Sequence, residues 1–148
     1  NDVMDAVVAY LDRHSIALKV VTGSGRMIDS LSWPNECTVE RRPAVKLDKV
    51  AISEAFVGIA ETGTLVLLSA PSAPASHNYL PDDQIVLLDI KRVVRYQEDV
   101  WTLLRDELAR LPRTVSLITG PSKTGDVEQT IEYGVHGPRR LHIILIGS

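Results

Sequence analysis

Hydrophobic and polar positions along the chain alternate between two periods. Over residues 3–14 the apolar side chains Val3, Ala6, Val7, Tyr10 and Leu11 recur at the i, i+3, i+4, i+7 spacing of one helix face. Residues 17–21 form a short apolar run that stops at Thr22, Gly23, Ser24 and Gly25, which predicts a strand and then a turn. A short helix is expected over 26–31, stopped by the Trp33–Pro34 pair, and an edge strand over 37–40. Residues 50–53 read as a buried strand and 54–60 as a short helix. Strands follow at 64–69 and 84–89, with a short one at Val93 and Val94. Val100, Leu103, Leu104, Leu108 and Leu111 predict a helix over 98–111, closed by Pro112. A strand over 114–119, a Gly-rich loop over 120–126, a helix over 127–133 and a final strand over 141–146 complete the reading.

Strands apolar on both faces lie in sheets that other elements cover. Their alternation with helices predicts an α/β fold, a mostly parallel sheet flanked by helices, with an antiparallel strand arising from the hairpin-like succession over 64–89. No repeat and no long linker divides the chain, so residues 1–148 are expected to form one domain. The Pro- and Ser-rich stretch 69–76 reads as an extended loop.

Composition narrows the function. Of the 148 residues, 45% are hydrophobic and 24% charged, the balance of a folded domain rather than a disordered one. A net charge of −3 and a pI near 5.8 give no electrostatic footprint for nucleic acid. The apolar run around 143–146 is far short of a membrane span. The lone Cys37 excludes an internal disulfide framework, and it cannot by itself ligate a zinc ribbon or an iron–sulfur cluster. No protein metal site is expected, because the four histidines lack ligand spacing. The chain begins at Asn1 rather than Met, so an incomplete N-terminus is expected.

Three segments carry candidate chemistry. The first is the loop holding Gly120, Pro121, Ser122, Lys123, Thr124, Gly125 and Asp126, read as leading from a strand into a helix. Backbone N–H groups at such a junction, the Ser122 and Thr124 hydroxyls and the Lys123 ammonium suit an anion. The spacing is not that of a Walker loop. Capping explains the same residues, with Asp126 as N-cap and Gln129 three positions on. The second segment places His136 between Gly134 and Gly137–Pro138, either as an acid/base group or as a histidine bonded within its loop. The third is the turn Glu61, Thr62, Gly63, where Glu61 is either a nucleophile or base, or a solvated carboxylate.

Other features are weaker. His14 is expected to be exposed, and Cys37 structural. The Arg41–Arg42 and Arg139–Arg140 pairs read as surface charge. The Gly23–Ser24–Gly25 turn is too short for a dinucleotide fingerprint.

Taken together and in order, the segments 60–67, 79–82, 120–128 and 134–138 closely resemble the LUD domain of lactate-utilisation proteins, above all its cluster-free C member. The resemblance covers roughly residues 45–147. Family motif positions match Glu61, Thr62, Gly63, Gly120, Pro121, Ser122, Thr124, Asp126, Glu128, Gly134, His136, Gly137 and Pro138. The chain departs from the family at Gln84, where a histidine is frequent, and at Gly125, where alanine is. The resemblance implies a fold similar to the ribose-5-phosphate isomerase and CoA-transferase superfamily. It also implies a cytoplasmic role in bacterial oxidation of L-lactate to pyruvate. The iron–sulfur clusters would sit in partner proteins and this chain would carry no cofactor. It transfers no catalytic residue.

Two readings follow. In one, the chain is an accessory subunit of lactate oxidation. In the other, it is an isomerase- or CoA-transferase-type enzyme or small-anion binder, with Glu61 as nucleophile or base. Thr62, Gly63, Gly120, Ser122, Lys123, Thr124, Asp126 and Gly137 would then line the ligand site. Convergence of Glu61, the Gly120 loop and His136 on one pocket would favour the second reading.

Overall fold

A computed structural model describes residues 2–125, 131–133 and 136–147. Helix α1 (Asp2–Arg13) leads to strand β1 (Lys19–Thr22), the short helix α2 (Arg26–Asp29) and strand β2 (Thr38–Arg41). Strands β3 (Val50–Glu54), β4 (Val57–Ile59) and β5 (Thr64–Leu68) follow, then β6 (Asp83–Asp89) and β7 (Val93–Val94). Helix α3 (Gln97–Glu107), β8 (Val115–Ile118), β9 (Lys123–Gly125), β10 (Ile131–Tyr133) and β11 (Arg140–Ile146) complete the described elements.

Five strands form a parallel sheet in the order β11-β6-β3-β1-β2. Four more form a mixed sheet, β7-β4-β5-β8, packed on one face of the first. The fold is therefore α/β with a mostly parallel central sheet. Alternation along the strands sorts side chains into layers. Val50, Ile52, Ile85, Leu87 and Ile144 meet Val7, Leu11 and Ile28 of α1 and α2 on the outer face. Val86 and Leu88 point the other way, onto Leu65 and Leu67 of β5. Val57, Ile59 and Val66 face Val100 and Leu104, so α3 covers the far side of the mixed sheet. Helix α1 forms where the periodicity places it because its apolar stripe has this floor to bury against.

Several expectations need correction. The helix expected over 54–60 is a bend at Ala55 and Phe56 followed by strand β4, whose Val57 and Ile59 lie opposite Val66 and Thr64. The antiparallel strands are β4, β5 and β8 in the second sheet, while β6 runs parallel in the first. Helix α3 stops at Glu107, with Leu108 in an extended conformation, four residues before Pro112. Residues 131–133 of the expected last helix form a strand, paired antiparallel with Lys123–Gly125. The remainder of that segment before it, with Asp126 and Glu128, lies outside the described residues, as does Gly134. His14 is half-buried, its ring 4.5 Å from that of Tyr10. Gln84 stands within β6, fully buried, and its Nε2 donates to Asn78 Oδ1 (2.7 Å).

Candidate functional site

Parallel strands end together, and ligands of open α/β sheets bind beyond their carboxyl ends. Here the ends of β1, β3 and β6 open into a cavity of about 450 Å³. Gly23 and Ser24 follow β1, Ser53 and Glu54 close β3, and Asp89 closes β6. The connection after β5 supplies Ala73, Pro74, His77 and Asn78. Met27, Ile28, Phe56 and Leu67 give the cavity an apolar side.

The polar groups around it are held by specific contacts. Glu54 Oε1 accepts the backbone N–H of Ile28 (2.6 Å). A side chain at Gly25 would collide with that carboxylate at 2.5 Å, so glycine lets the turn after β1 rest on Glu54. At the mouth, Arg26 Nη2 pairs with Asp89 Oδ2 (2.9 Å). The Lys91 backbone N–H, and then Arg26, hold the Asp89 carboxyl below the usual range. Arg92 grips Glu107 with both prongs (2.7 and 2.9 Å) and lies over the Phe56 ring at 4.6 Å. Deeper in, His77 is 3% exposed and its Nε2 donates to the Arg42 carbonyl oxygen (2.7 Å). Burial pushes the His77 imidazole below its ordinary value, so the ring is neutral near pH 7. The Oγ of Ser53 is buried and has no hydrogen-bond partner among the described residues.

The residues expected from sequence lie elsewhere, gathered at one end of the mixed sheet. Glu61, Thr62 and Gly63 are exposed on the β4–β5 turn, with Gly63 at φ +64°. Hydroxyls link that turn to the end of β8: Thr62 Oγ1 to Thr64 Oγ1 and Thr64 Oγ1 to Thr119 Oγ1, each 2.7 Å. Gly120 comes next, exposed at φ +81°. The Ser122 backbone N–H donates to the Pro138 carbonyl (2.8 Å), and a Cβ at Gly137 would stand 3.3 Å from that of Ser122. The Gly120 loop thus meets the His136–Pro138 segment. His136 and Lys123 are exposed, and Gly137 is buried. Lys123 and Thr124 belong to a strand, so the described residues give the loop no helix start to strengthen an anion site. None of these groups lines the cavity.

The cavity residues escaped the sequence reading because they come from six separated stretches, 23–28, 52–56, 67–68, 73–78, 89–92 and Glu107. The available signals were the Gly23–Ser24–Gly25 turn after an apolar strand and the polar pair Ser53–Glu54 ending another. Among the described residues, no group of three His, Cys, Asp or Glu side chains is placed to hold a metal ion. Cys37 is half-buried against the helix-side core, and burial pushes its thiol up. No helix among the described residues is long and apolar enough to cross a membrane.

The family profile for the LUD domain matches residues 13–146. An uncharacterized protein of Neisseria meningitidis is 41% identical over 96 residues, covering 64% of this chain and 40% of that protein. Lactate utilization protein C of Exiguobacterium is 32% identical over 72% of this chain and 47% of its own length. For the Bacillus subtilis protein of that name the figures are 31%, 78% and 54%. The chain thus spans about half the length of these relatives. The crystal structure of a DUF162 family protein from Deinococcus radiodurans superposes with a TM-score of 0.69, covering 97% of this chain and 81% of that one. Its 23% identity speaks for the fold alone.

Proposed function

The chain belongs to the LUD domain family, and from that membership we propose that it serves in lactate utilisation, as a component of the system that oxidises L-lactate to pyruvate. The observation that carries this reading is the likeness, at 32% and 31% identity, to two proteins named Lactate utilization protein C. The oxidation releases two electrons and two protons per lactate, and the electrons need an acceptor. These 148 residues hold one cysteine, half-buried, so they cannot supply the thiolates of a cluster by themselves. The iron–sulfur clusters that the family resemblance implies then belong to partner proteins, with this chain as a cluster-free accessory subunit in the cytoplasm. The polar end formed by Thr62, Gly63, Gly120 and Ser122 is the surface offered to those partners or to a small anion.

Co-purification with the iron–sulfur components, followed by a lactate oxidation assay with and without this chain, tests the reading. Pyruvate formation is expected only when the chain and its partners are combined. Lactate turnover by the isolated chain with an artificial acceptor would overturn the accessory role.

A second reading, an isomerase- or CoA-transferase-type enzyme acting through Glu61 with His136 as acid/base, has one observation in its favour. The Thr62–Thr64–Thr119 hydroxyl chain ties the Glu61 turn to the Gly120 loop. A Glu61→Gln variant with unchanged turnover and ligand binding rejects it.

A further inference from the structure

We propose that the cavity at the carboxyl ends of β1, β3 and β6 binds an uncharged small molecule whose hydroxyl, carbonyl or amide group is received by Ser53, His77 and Asn78. This site is separate from the polar end of the mixed sheet, and its chemistry is the same whether or not the chain serves lactate utilisation.

Size and shape come first. A volume of about 450 Å³ lies within the range of small-molecule sites, and the wall is divided into an apolar and a polar side. Phe56 and Leu67 would cover the body of an occupant.

The polar side is short of partners. Ser53 is 8% exposed, and its hydroxyl makes no hydrogen bond among the described residues. A buried hydroxyl left unpaired is costly and rare, and an occupant of the cavity would supply its partner. Ser53 is itself part of the cavity lining. His77 spends its Nε2–H on the Arg42 carbonyl, so Nδ1 of the neutral ring is left as an acceptor. Asn78 spends Oδ1 on Gln84, which leaves its NH₂ group as a donor. One wall thus offers a hydroxyl, an acceptor and a donor, the set that a neutral amide, alcohol or carbonyl satisfies.

Charge decides the class. Both arginines of the wall are committed, Arg26 to Asp89 and Arg92 to Glu107. An anionic group would meet Glu54 and these carboxylates with no uncommitted arginine on the wall. A cationic group would find Asp89 and Glu107 already paired with arginines and Glu54 Oε1 already accepting the Ile28 N–H. Burying an unpaired charge costs far more than burying a paired neutral group.

The test is an NMR titration of the ¹⁵N-labelled 148-residue chain with benzamide, benzoate and benzamidine. These share one shape and differ in charge. Benzamide is expected to shift the amide resonances of Ser53, Glu54 and His77 saturably. The two ions should bind at least about tenfold more weakly. Ser53→Ala should weaken benzamide by about fivefold, the loss of one neutral hydrogen bond. The unliganded variant should melt no lower than the parent, since it loses only an unpaired hydroxyl. Absence of saturable shifts at these residues would overturn the proposal, as would equal binding of either ion. A lower melting temperature for unliganded Ser53→Ala would overturn the ligand role of the hydroxyl by making it structural.

Discussion

Arg140 and Asp83, the first residues of β11 and β6, lie opposite each other in the parallel register and are joined by a two-pronged ion pair. Nε stands 2.6 Å from Oδ1 and Nη2 stands 3.0 Å from Oδ2. Asp83 is 1% exposed and also accepts the Tyr10 hydroxyl at 2.6 Å. One carboxylate therefore fastens α1 and the edge strand β11 to β6. Burial, with the Asp83 carboxylate adding to it, pushes the Tyr10 phenol up, so it remains a donor at any working pH.

Replacing Arg140 by Met keeps the aliphatic stem and removes the charge. Among the described residues, the buried carboxylate then keeps only its bond from Tyr10, and it loses its counter-ion. A loss of about 2–3 kcal/mol is expected in urea unfolding, less than for a fully buried pair because the arginine is half-exposed. A change below about 0.5 kcal/mol would show that the pair contributes nothing net.

Acid should destabilise the fold before its carboxylates titrate. Burial holds His77 below the ordinary imidazole value of 6.5, and burial followed by the Arg13 and His14 charges does the same for His142. Below pH 6.5 the unfolded chain takes up protons that the folded chain refuses. Stability is thus fully present above that pH and falls as pH drops towards the lowered folded-state values. His77→Gln should flatten that part of the profile, as read from unfolding midpoints between pH 5 and 7.5. An unchanged slope would remove His77 as its source.

Gly63 tests backbone conformation alone, since a methyl group added there would meet no atom within 4 Å and φ is +64°. Gly63→Ala should cost about 1 kcal/mol, and Gly63→Asn less, because asparagine tolerates the left-handed region. Equal stability of the parent and both variants would contradict this account.

Leu104 is 1% exposed between α3 and the mixed sheet. Leu104→Ala should cost about 2–4 kcal/mol, through lost burial and the space left behind. A smaller loss in thermal or urea unfolding would show that α3 can settle into the gap.

Local pattern was sufficient wherever an element carries its own periodicity. In α1, Val7 and Leu11 are fully buried, where a 3.6-residue stripe puts them. The runs at 50–53 and 84–89 became central parallel strands, because β-branched and other apolar residues without polar relief need cover on both faces. Pattern failed at β4. The stretch from Glu54 to Ala60 suits a helix locally, yet Val57–Ile59 is held as a strand by β5 on one side and β7 on the other. Residues 131–133 likewise pair with Lys123–Gly125. A strand's hydrogen bonds are made with distant residues, so its stability is absent from its own sequence.

The motif residues were legible as a set, and their meeting was not. Ser122 and Gly137 are neighbours only because the chain returns to begin β11 beside β6. The cavity was still less legible. Ser53 ends a strand, His77 sits in a Pro- and Ser-rich connection, and Asp89 closes another strand more than ten residues later. The composition, the layered class and the family motifs are properties of the chain read in order. The site depends on which strand ends the parallel sheet sets side by side, and that adjacency is created by long-range pairing and burial.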